Sequence, residues 1–478
     1  MSGNIKKGLF WSAIERFSVQ GIHFLMTIII SRYVLPEEYG LIAMLAIFIA
    51  IANSLIDSGF SSALIQKNDR TETDYSTVFY FNFIVSIGLY FFLWFLSPYI
   101  ANFYQEPRLE LLTKIIGVNL IIRSIGIVQN AKLTIALDFK TISKASFIGA
   151  IMGGVIGVIM AIQGMGVWAL ITQTLISSFV QTFLLWIYTK WIPLFIFSKS
   201  SFSKLFSFGS KLLVSGILHT LYLNMYTLVI GKFYNISDVG YFNRANSLAQ
   251  YPSNFIIGIA NRVYYPILCE KQNDVKEFDI VFYQYLRMAC FIIFPLSIGM
   301  ITLARPLIIS LLTEQWSGAI IPLQIIACAY ILYPIIMINN QPFLCLNNTG
   351  LFLKLEIIKK IVAVLFLFIA INFDYYILCL SILLYNVFDV IITVYYVNKF
   401  FSASFIKQIK KISDIALSSI MMGVVVFLFV LNSPFNASLT LIIGIFICVI
   451  SYFIVNYVLK IEEFIILMNN IYKYKQKI

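Results

Sequence analysis

The sequence predicts an all-α polytopic membrane protein with about fourteen transmembrane helices. Of its 478 residues, 60% are hydrophobic and only 12% are charged, whereas a soluble domain carries roughly 25% charged residues. A chain this apolar has too little polar surface to cover itself in water. Apolar runs of about 20 residues, each able to cross about 30 Å of hydrocarbon, recur along the whole chain. Composition and run length therefore both favour a bundle of spanning helices.

The apolar runs define fourteen expected spans. They are 9–31, 41–64, 77–100, 111–134, 145–163, 166–189, 205–231, 240–266, 281–304, 318–345, 351–371, 375–398, 412–431 and 438–459. The connections between them are short, and none has the length of a soluble domain.

Basic residues in the connections predict the orientation of the spans. With the amino terminus in the cytoplasm, the outer connections hold few cations, namely Arg32, Arg108, Lys114, Lys232 and Arg305. Most other lysines and arginines then fall in the inner connections, as the positive-inside rule requires. An even number of spans returns the carboxyl terminus to the cytoplasm as well. This bias explains the net charge of +12, so we do not expect nucleic-acid binding.

Similar stretches in the two halves of the chain predict an internal repeat. Residues 8–40 (GLFWSAIERF…RYVLPEEYG) are similar to residues 209–240 (GSKLLVSGIL…KFYNISDVG). An even number of helices per repeat gives both copies the same orientation, related by an axis along the membrane normal. We therefore expect a six-helix lobe at 1–198, a second six-helix lobe at 199–404, and a terminal helix pair with a cytoplasmic tail at 405–478.

Cysteine and histidine are sparse, and their spacing indicates neither a zinc site nor a disulfide framework. The six cysteines include no Cys-x-x-Cys pair, and the two histidines are His23 and His219. We expect the cysteines to be small core side chains, and we expect neither a metal site nor a cofactor. A coupling ion, Na⁺ or H⁺, stays open because no residue pattern identifies a site for either.

Polar side chains recur at helical spacing in several spans, and charges inside a membrane usually face a cavity or a partner. They predict an aqueous cavity between the lobes, with more cationic character in the first lobe. A cation pair such as Arg16 and Arg123 can hold a diphosphate through charge-assisted hydrogen bonds. No residue is expected to be catalytic. The candidate substrate-binding residues are Arg16, Gln20, His23, Asp57, Asn119, Arg123, His219 and Arg244.

Structural roles compete at most of these positions. Arg16 lies within about two turns of a cytoplasmic helix end and can snorkel to the interface. Asp57 can pair with a nearby arginine, and each histidine can be a satisfied interior residue. Arg244 lies near the outer end of its helix, where a structural role is equally open. Arg123 is too central to snorkel easily, so it is the strongest candidate for a functional cation.

Four stretches of the chain carry a resemblance to a known family. They are residues 11–16 (WSAIER), 35–41 (LPEEYGL), 56–66 (IDSGFSSALIQ) and 239–245 (VGYFNRA). In these stretches the chain resembles the polysaccharide-export family of O-antigen and teichuronic-acid flippases. That family belongs to the multidrug/oligosaccharidyl-lipid/polysaccharide exporter superfamily. The resemblance is strongest at the amino-terminal end, whereas the last two helices are generic.

The resemblance implies two six-helix lobes plus two extra helices in the bacterial cytoplasmic membrane. It also implies a flippase that carries undecaprenyl-diphosphate-linked oligosaccharide from the cytoplasmic to the periplasmic leaflet by alternating access. The expected partners are this lipid-linked oligosaccharide and membrane lipids, with a polysaccharide polymerase and export machinery as further candidates. The resemblance does not fix the sugar, the oligomeric state, or the pathway, which can be lipopolysaccharide O-antigen, capsule or exopolysaccharide.

Two other functions compete with this one. A cation-coupled drug or metabolite antiporter of the same superfamily favours an anionic cavity, whereas Arg16, Arg123 and Arg244 indicate a cationic one. A membrane polysaccharide polymerase needs a substantial periplasmic loop or an acidic catalytic pair, but the outer connections are short. We therefore expect a transporter and not an enzyme.

The orientation can be tested with reporter fusions. Reporters fused after Arg70, Lys199 and Lys407 are expected to report cytoplasm, because of the charge bias. Those fused after Arg108, Lys232 and Glu314 are expected to report periplasm. The measurement is paired phosphatase and fluorescence activity of each fusion. One reproducible inversion in the middle of the chain contradicts the fourteen-span topology.

Overall fold

Helices make up most of the part of the chain that the structure describes. The computed structural model describes residues 19–400 and 403–475, and no strand occurs among them. In chain order the helices are α1 (Val19–Ser31), α2 (Pro36–Asp57), α3 (Phe60–Gln66), α4 (Glu72–Tyr104), α5 (Arg108–Ile116), α6 (Val118–Ser124), α7 (Ile127–Ile135), α8 (Phe139–Ile162), α9 (Val167–Thr189), α10 (Lys199–Phe233), α11 (Ile236–Glu270), α12 (Val275–Thr302), α13 (Ala304–Leu312), a 3₁₀ helix (Glu314–Ala319), α14 (Ile320–Ile331), α15 (Tyr333–Cys345), α16 (Thr349–Ala370), α17 (Tyr375–Val397), α18 (Phe405–Leu431), α19 (Ala437–Val458) and α20 (Glu462–Lys475).

Within the described residues, 10 helical runs are long and apolar enough to cross a membrane. They are Pro36–Gln66, Glu72–Tyr104, Arg108–Ile135, Phe139–Ile162, Val167–Thr189, Val275–Thr302, Glu314–Cys345, Tyr375–Val397, Phe405–Leu431 and Ala437–Val458. Each coincides with a predicted span. The predicted spans 205–231, 240–266 and 351–371 form the helices α10, α11 and α16, and the span 9–31 lies partly outside the described residues. The all-helical, multi-pass class is confirmed, whereas the count of fourteen spans stays a prediction.

The predicted span 111–134 is divided into three short helices, α5, α6 and α7. Glycines lie at both breaks, where neighbouring atoms approach closely. A Cβ atom on Gly117 would lie 3.0 Å from the carbonyl oxygen of Thr113. A Cβ atom on Gly126 would lie 3.1 Å from Oγ1 of Thr182 on α9. Close packing at these two points accompanies the breaks, and the second one follows Arg123 directly.

The chain divides into two compact units, Met1–Gly240 and Tyr241–Ile478. In the first unit, α10 packs against α2, α3 and α4. In the second unit, α18 packs against α12, and α19 packs against α13 and α18. The lobes expected at 1–198 and 199–404, and the terminal pair at 405–478, derive from the internal repeat rather than from helix packing. They stay a prediction.

A glycine face joins α8 to α9 in the first unit. Gly149, Gly153 and Gly157 follow one another at intervals of one helical turn. Cβ atoms added to Gly149 and Gly153 would lie 2.7 and 2.5 Å from backbone oxygens of α9. Only glycine allows the two backbones this approach, which is a common way for helices to associate in membranes. The contact holds in place α9, which forms one wall of the cavity described below.

We expect Gly153→Val to destabilise the protein by about 1–3 kcal/mol, because the added side chain collides with the α9 backbone. The measurement is the thermal unfolding midpoint of the purified protein in detergent. Gly88→Val is the matched control, since a Cβ at Gly88 on α4 meets no atom within 4 Å. Equal midpoints for the two variants would contradict the role given to this face.

A buried ion pair joins α16 to α17 in the second unit. The Lys359 ammonium lies 2.9 Å from Oδ1 of Asp389 and 3.2 Å from Oε1 of Glu356, and Lys359 is only 1% exposed. Its Nζ also donates to the Asn340 side-chain oxygen at 3.3 Å, which brings in α15. Thr393 donates to the same carboxylate of Asp389 at 2.9 Å. Three helices are therefore held together around one lysine.

We expect Lys359→Ala to cost about 3–5 kcal/mol of stability, because it leaves a buried carboxylate without its counter-charge. The neighbouring Lys360 is the control: it is more exposed and lies 3.6 Å from Glu356, so Lys360→Ala should cost about 0–1 kcal/mol. Folded yield and unfolding midpoint measure both variants. The double variant Lys359→Ala/Asp389→Ala should recover part of the loss, and a double variant less stable than Lys359→Ala argues against the pair.

The expectation that all six cysteines are small core side chains is wrong for two of them. Cys269 and Cys345 form a disulfide in the second unit. Cys290, Cys328 and Cys448 form no disulfide, and these three residues and Cys379 are buried or half-buried. The bonded residues are separated by 76 positions and belong to no spacing motif, so only the folded chain brings the ends of α11 and α15 together.

Candidate functional site

A polar cavity lies within the first unit, walled by α2, α3, α6, α7 and α9. Its volume is about 290 Å³. Apolar side chains such as Ile56 and Leu185 form the rest of the wall. The polar lining residues are Asn53, Asp57, Ser61, Arg123, Ser124, Asn130, Thr134, Ser178, Gln181 and Thr182.

The turn between α2 and α3 positions the acidic side of the cavity. Ser58 and Gly59 both have left-handed backbone conformations, with φ of 45° and 72°. Gly59 also meets α10, where a Cβ atom would lie 2.6 Å from the carbonyl oxygen of Gly209. Glycine is required here both by its positive φ and by this approach. The turn leaves Asp57 as the last residue of α2 and brings Ser61 of α3 beside it.

Asp57 is held by Ser61 rather than by a cation. Its Oδ1 accepts hydrogen bonds from the Ser61 hydroxyl at 2.5 Å and the Ser61 amide at 3.3 Å. No described cation lies within ion-pair distance of its carboxylate. The arginine partner considered for Asp57 is therefore absent from the described part of the chain.

Arg123 supplies the cationic side of the cavity from the last turn of α6. Its guanidinium forms no hydrogen bond and no ion pair with any residue that the structure describes. A guanidinium has five N–H donors in a planar fork that matches carboxylate and phosphate oxygens. The N–H groups of Arg123 are therefore available to donate hydrogen bonds to a ligand at the cavity wall. Among the described lining residues Arg123 is the one cation and Asp57 the one anion, so the cavity has two poles rather than a purely cationic wall.

Of the predicted residues that the structure describes, Asp57 and Arg123 line the cavity, whereas Asn119, Gln20, His23, His219 and Arg244 do not. Asn119 is buried, 4% exposed, and does not line it. Gln20 and His23 are exposed on α1, and His219 is exposed on α10. The remaining two predicted residues are Arg16 and Arg244.

Arg16 lies outside the described residues, and Arg244 belongs to the second unit. The Arg244 guanidinium carbon lies 5.4 Å from the centre of the Trp316 ring, a cation–π distance. This contact favours the structural role that was open for Arg244. The binding roles of all these residues stay predictions.

One wall of the cavity comes from a helix that supplied no candidate residues. Ser178, Gln181 and Thr182 of α9 line it, and Gln181 donates to the Ser146 hydroxyl at 2.9 Å. Their signal is in the sequence, because Gln173, Thr174 and Ser177 continue the same stripe one turn earlier. These residues are uncharged, so the high cost of a charge inside the membrane does not mark them as functional.

The described residues contain no group of three His, Cys, Asp or Glu side chains that could hold a metal ion. The absence of a cofactor stays a prediction, and the choice between Na⁺ and H⁺ as a coupling ion stays open. What the cavity offers is binding chemistry: one donor-rich cation, one carboxylate, and amides and hydroxyls that suit a polar, oxygen-rich group.

A multi-pass helical bundle with a polar cavity among its helices is the architecture of a membrane transport protein. The chain belongs to the polysaccharide biosynthesis protein family, whose model matches residues 29–322. This confirms the family resemblance read from the sequence motifs.

Curated relatives agree with this assignment. The chain is 27% identical over 350 residues to the teichuronic acid biosynthesis protein TuaB of Bacillus subtilis, covering 73% of this chain and 72% of that protein. It is 24% identical to the succinoglycan biosynthesis transport protein ExoT of Rhizobium meliloti, covering 66% and 64%. It is also 24% identical to the lipopolysaccharide biosynthesis protein WzxC of Escherichia coli, covering 67% and 65%.

Solved structures show the same fold at low sequence identity. The lipid II flippase MurJ in an inward closed conformation matches with a TM-score of 0.76 and 15% identity, covering 94% of this chain and 98% of that one. An inward-facing multidrug-resistance transporter of the MATE family matches with a TM-score of 0.63 and 16% identity, covering 81% and 97%. The fold shows a multi-pass membrane protein, and the family and the curated relatives make it a transporter of polysaccharide biosynthesis and not an enzyme.

Proposed function

We propose that the chain is a flippase that moves an undecaprenyl-diphosphate-linked oligosaccharide from the cytoplasmic to the periplasmic leaflet. Membership of the polysaccharide biosynthesis family supports the pathway, and a fold similar to that of a lipid II flippase supports a lipid-linked substrate. The observation that carries the proposal is that Arg123 lines a cavity and that its guanidinium has no partner among the described residues.

Arg123 would hold the diphosphate of the substrate. Charge-assisted hydrogen bonds from a guanidinium to phosphate oxygens are short and about twice as strong as neutral ones. Inside the membrane they are screened less than at a surface. The amides of Asn53, Asn130 and Gln181 can bind sugar hydroxyls, while the lipid tail remains in the bilayer. Alternating access would then expose the bound headgroup to one side and then to the other.

Asp57 supports a second candidate, a cation-coupled drug or metabolite antiporter. Its carboxylate lines the same cavity and has no cationic partner in the described residues. A cationic drug would bind this carboxylate and be repelled by Arg123. The two candidates therefore assign the essential charge to different residues, and substitutions can separate them.

We expect Arg123→Ala to lower polysaccharide export by about tenfold or more, because charge-assisted hydrogen bonds contribute about 1.5–3 kcal/mol each. Arg123→Lys should recover export only in part, since lysine keeps the charge but loses the planar fork. The measurement is complementation of an export-deficient strain, scored by surface polysaccharide and by blotted protein level.

Two controls accompany this test. Lys144 is exposed on α8 and outside the cavity, so Lys144→Ala should export normally. Asp57→Asn keeps an oxygen that accepts from Ser61 and should retain export. Normal export by Arg123→Ala at normal protein level argues against the anion site, and drug resistance lost only in Asp57→Asn favours the antiporter.

The purified chain in liposomes should move a lipid-linked oligosaccharide between leaflets and leave its bonds intact. Leaflet exchange is measured by the accessibility of the sugar to a soluble lectin, and bond integrity by mass spectrometry of the recovered lipid. Polymerised or hydrolysed product would contradict the proposal, and transfer by protein-free liposomes sets the background.

A further inference from the structure

The two bonded cysteines lie at the ends of two helices of the second unit. Cys269 is the penultimate residue of α11, and Cys345 is the last residue of α15. Their Cα atoms are 4.9 Å apart, within the range of about 4.4–6.8 Å that a disulfide needs. The bond therefore ties the end of α11 to the end of α15.

The charge pattern assigns this pair to the cytoplasmic side of the membrane. Lys271 and Lys276 follow Cys269 closely, and Lys354 follows Cys345 in the first turns of α16. Clusters of lysine mark inner connections. The cytoplasm is kept reducing, and disulfides found there are usually transient and redox-sensing rather than permanent.

The two cysteine residues differ in exposure. Cys269 is half-buried, whereas Cys345 is 5% exposed. A small reagent therefore reaches Cys269 first, and Cys345 lies within bonding distance to complete the reaction. Cys448 is half-buried like Cys269 but forms no disulfide, which makes it a matched control.

We propose that Cys269 and Cys345 form a reversible redox modification site that takes small organic disulfides such as glutathione disulfide. Oxidation of this site fixes the ends of α11 and α15 to each other and slows transport.

The Cys269 thiolate attacks one sulfur of the organic disulfide, which forms a mixed disulfide and releases one small thiolate. The Cys345 thiolate then attacks the Cys269 sulfur, and the second small thiolate leaves. The two protons from the cysteines go to the two released thiols, so two protein thiols are oxidised and one small disulfide is reduced.

The bond restrains two helices that have places to bend. Pro266 of α11 lies three residues before Cys269, and Pro342 of α15 lies three residues before Cys345. A proline inside a helix removes a backbone hydrogen bond and favours a kink. With the bond open, the last turns of both helices can move about these prolines. With the bond closed they move together, which hinders the rearrangements of alternating access.

The test uses the full chain in liposomes, equilibrated with mixtures of glutathione and glutathione disulfide. Non-reducing peptide mapping should detect a Cys269–Cys345 cross-link that forms under oxidising mixtures and is lost under reducing ones. Hydrogen exchange at the ends of α11 and α15 should slow when the cross-link forms. Transfer of a lipid-linked oligosaccharide should fall at least about fivefold and recover on reduction.

Matched variants separate this site from general effects of oxidation. Transport by Cys269→Ser and by Cys345→Ser should not respond to the glutathione mixture, whereas Cys448→Ser should respond as the unchanged chain does. A cross-link that never forms, or that persists in excess glutathione, overturns the site. A cross-link that leaves both exchange and transport unchanged overturns its effect. The proposed function enters only through the transport assay, because peptide mapping and hydrogen exchange need no substrate.

Discussion

Inside a bilayer, every backbone amide and carbonyl group must find its hydrogen bond within the protein, and this constraint governs the whole structure. A helix meets it within a single segment, so long apolar runs fold as helices. Breaks are tolerated only where neighbouring protein or a water-lined cavity takes up the freed groups. The left-handed turn at Ser58 and Gly59, and the break between α6 and α7, both border the polar cavity. The candidate site therefore lies where the chain departs from continuous helix.

The same scarcity of water separates structural charges from binding charges. Arg287 donates to Asp414 at 2.8 Å and to Glu463 at 2.6 Å, which joins α12, α18 and α20. Lys359 is enclosed by Asp389, Glu356 and Asn340. Each of these cations uses its donors on the protein and has few left for a ligand. Arg123 is the contrasting case, because it lines the cavity and pairs with no carboxylate of the described residues.

Much of the fold could be predicted from the sequence because apolar run length alone decides where a membrane helix forms. Asp57 and Arg123 could be predicted to line a cavity, because a charge inside a membrane span is costly unless it faces a cavity or a partner. The pairing of Lys359 with Asp389 could not, since it depends on how the middle of α16 packs against α17. The disulfide could not either, because it joins two helix ends that are 76 residues apart in the sequence and only meet in the folded chain. The polar stripe of α9 could have indicated Gln181. However, an uncharged polar side chain costs little free energy in a helix interface, so its presence there does not by itself indicate a function.

The size of the cavity limits how much of a substrate it can hold. At about 290 Å³ it is at or below the lower end of the range of roughly 300–1,000 Å³ that is usual for drug-sized ligands. An oligosaccharide joined to a polyprenyl diphosphate is much larger, so the cavity can enclose only one part of it. The chemistry of the wall selects that part, because a guanidinium with free donors prefers an anionic oxygen-rich group. The sugar chain then needs a surface beyond this cavity, and the apolar tail needs only lipid. A site that grips the one group common to all such substrates would constrain the sugar little, and sugar selectivity would have to arise from residues other than Arg123.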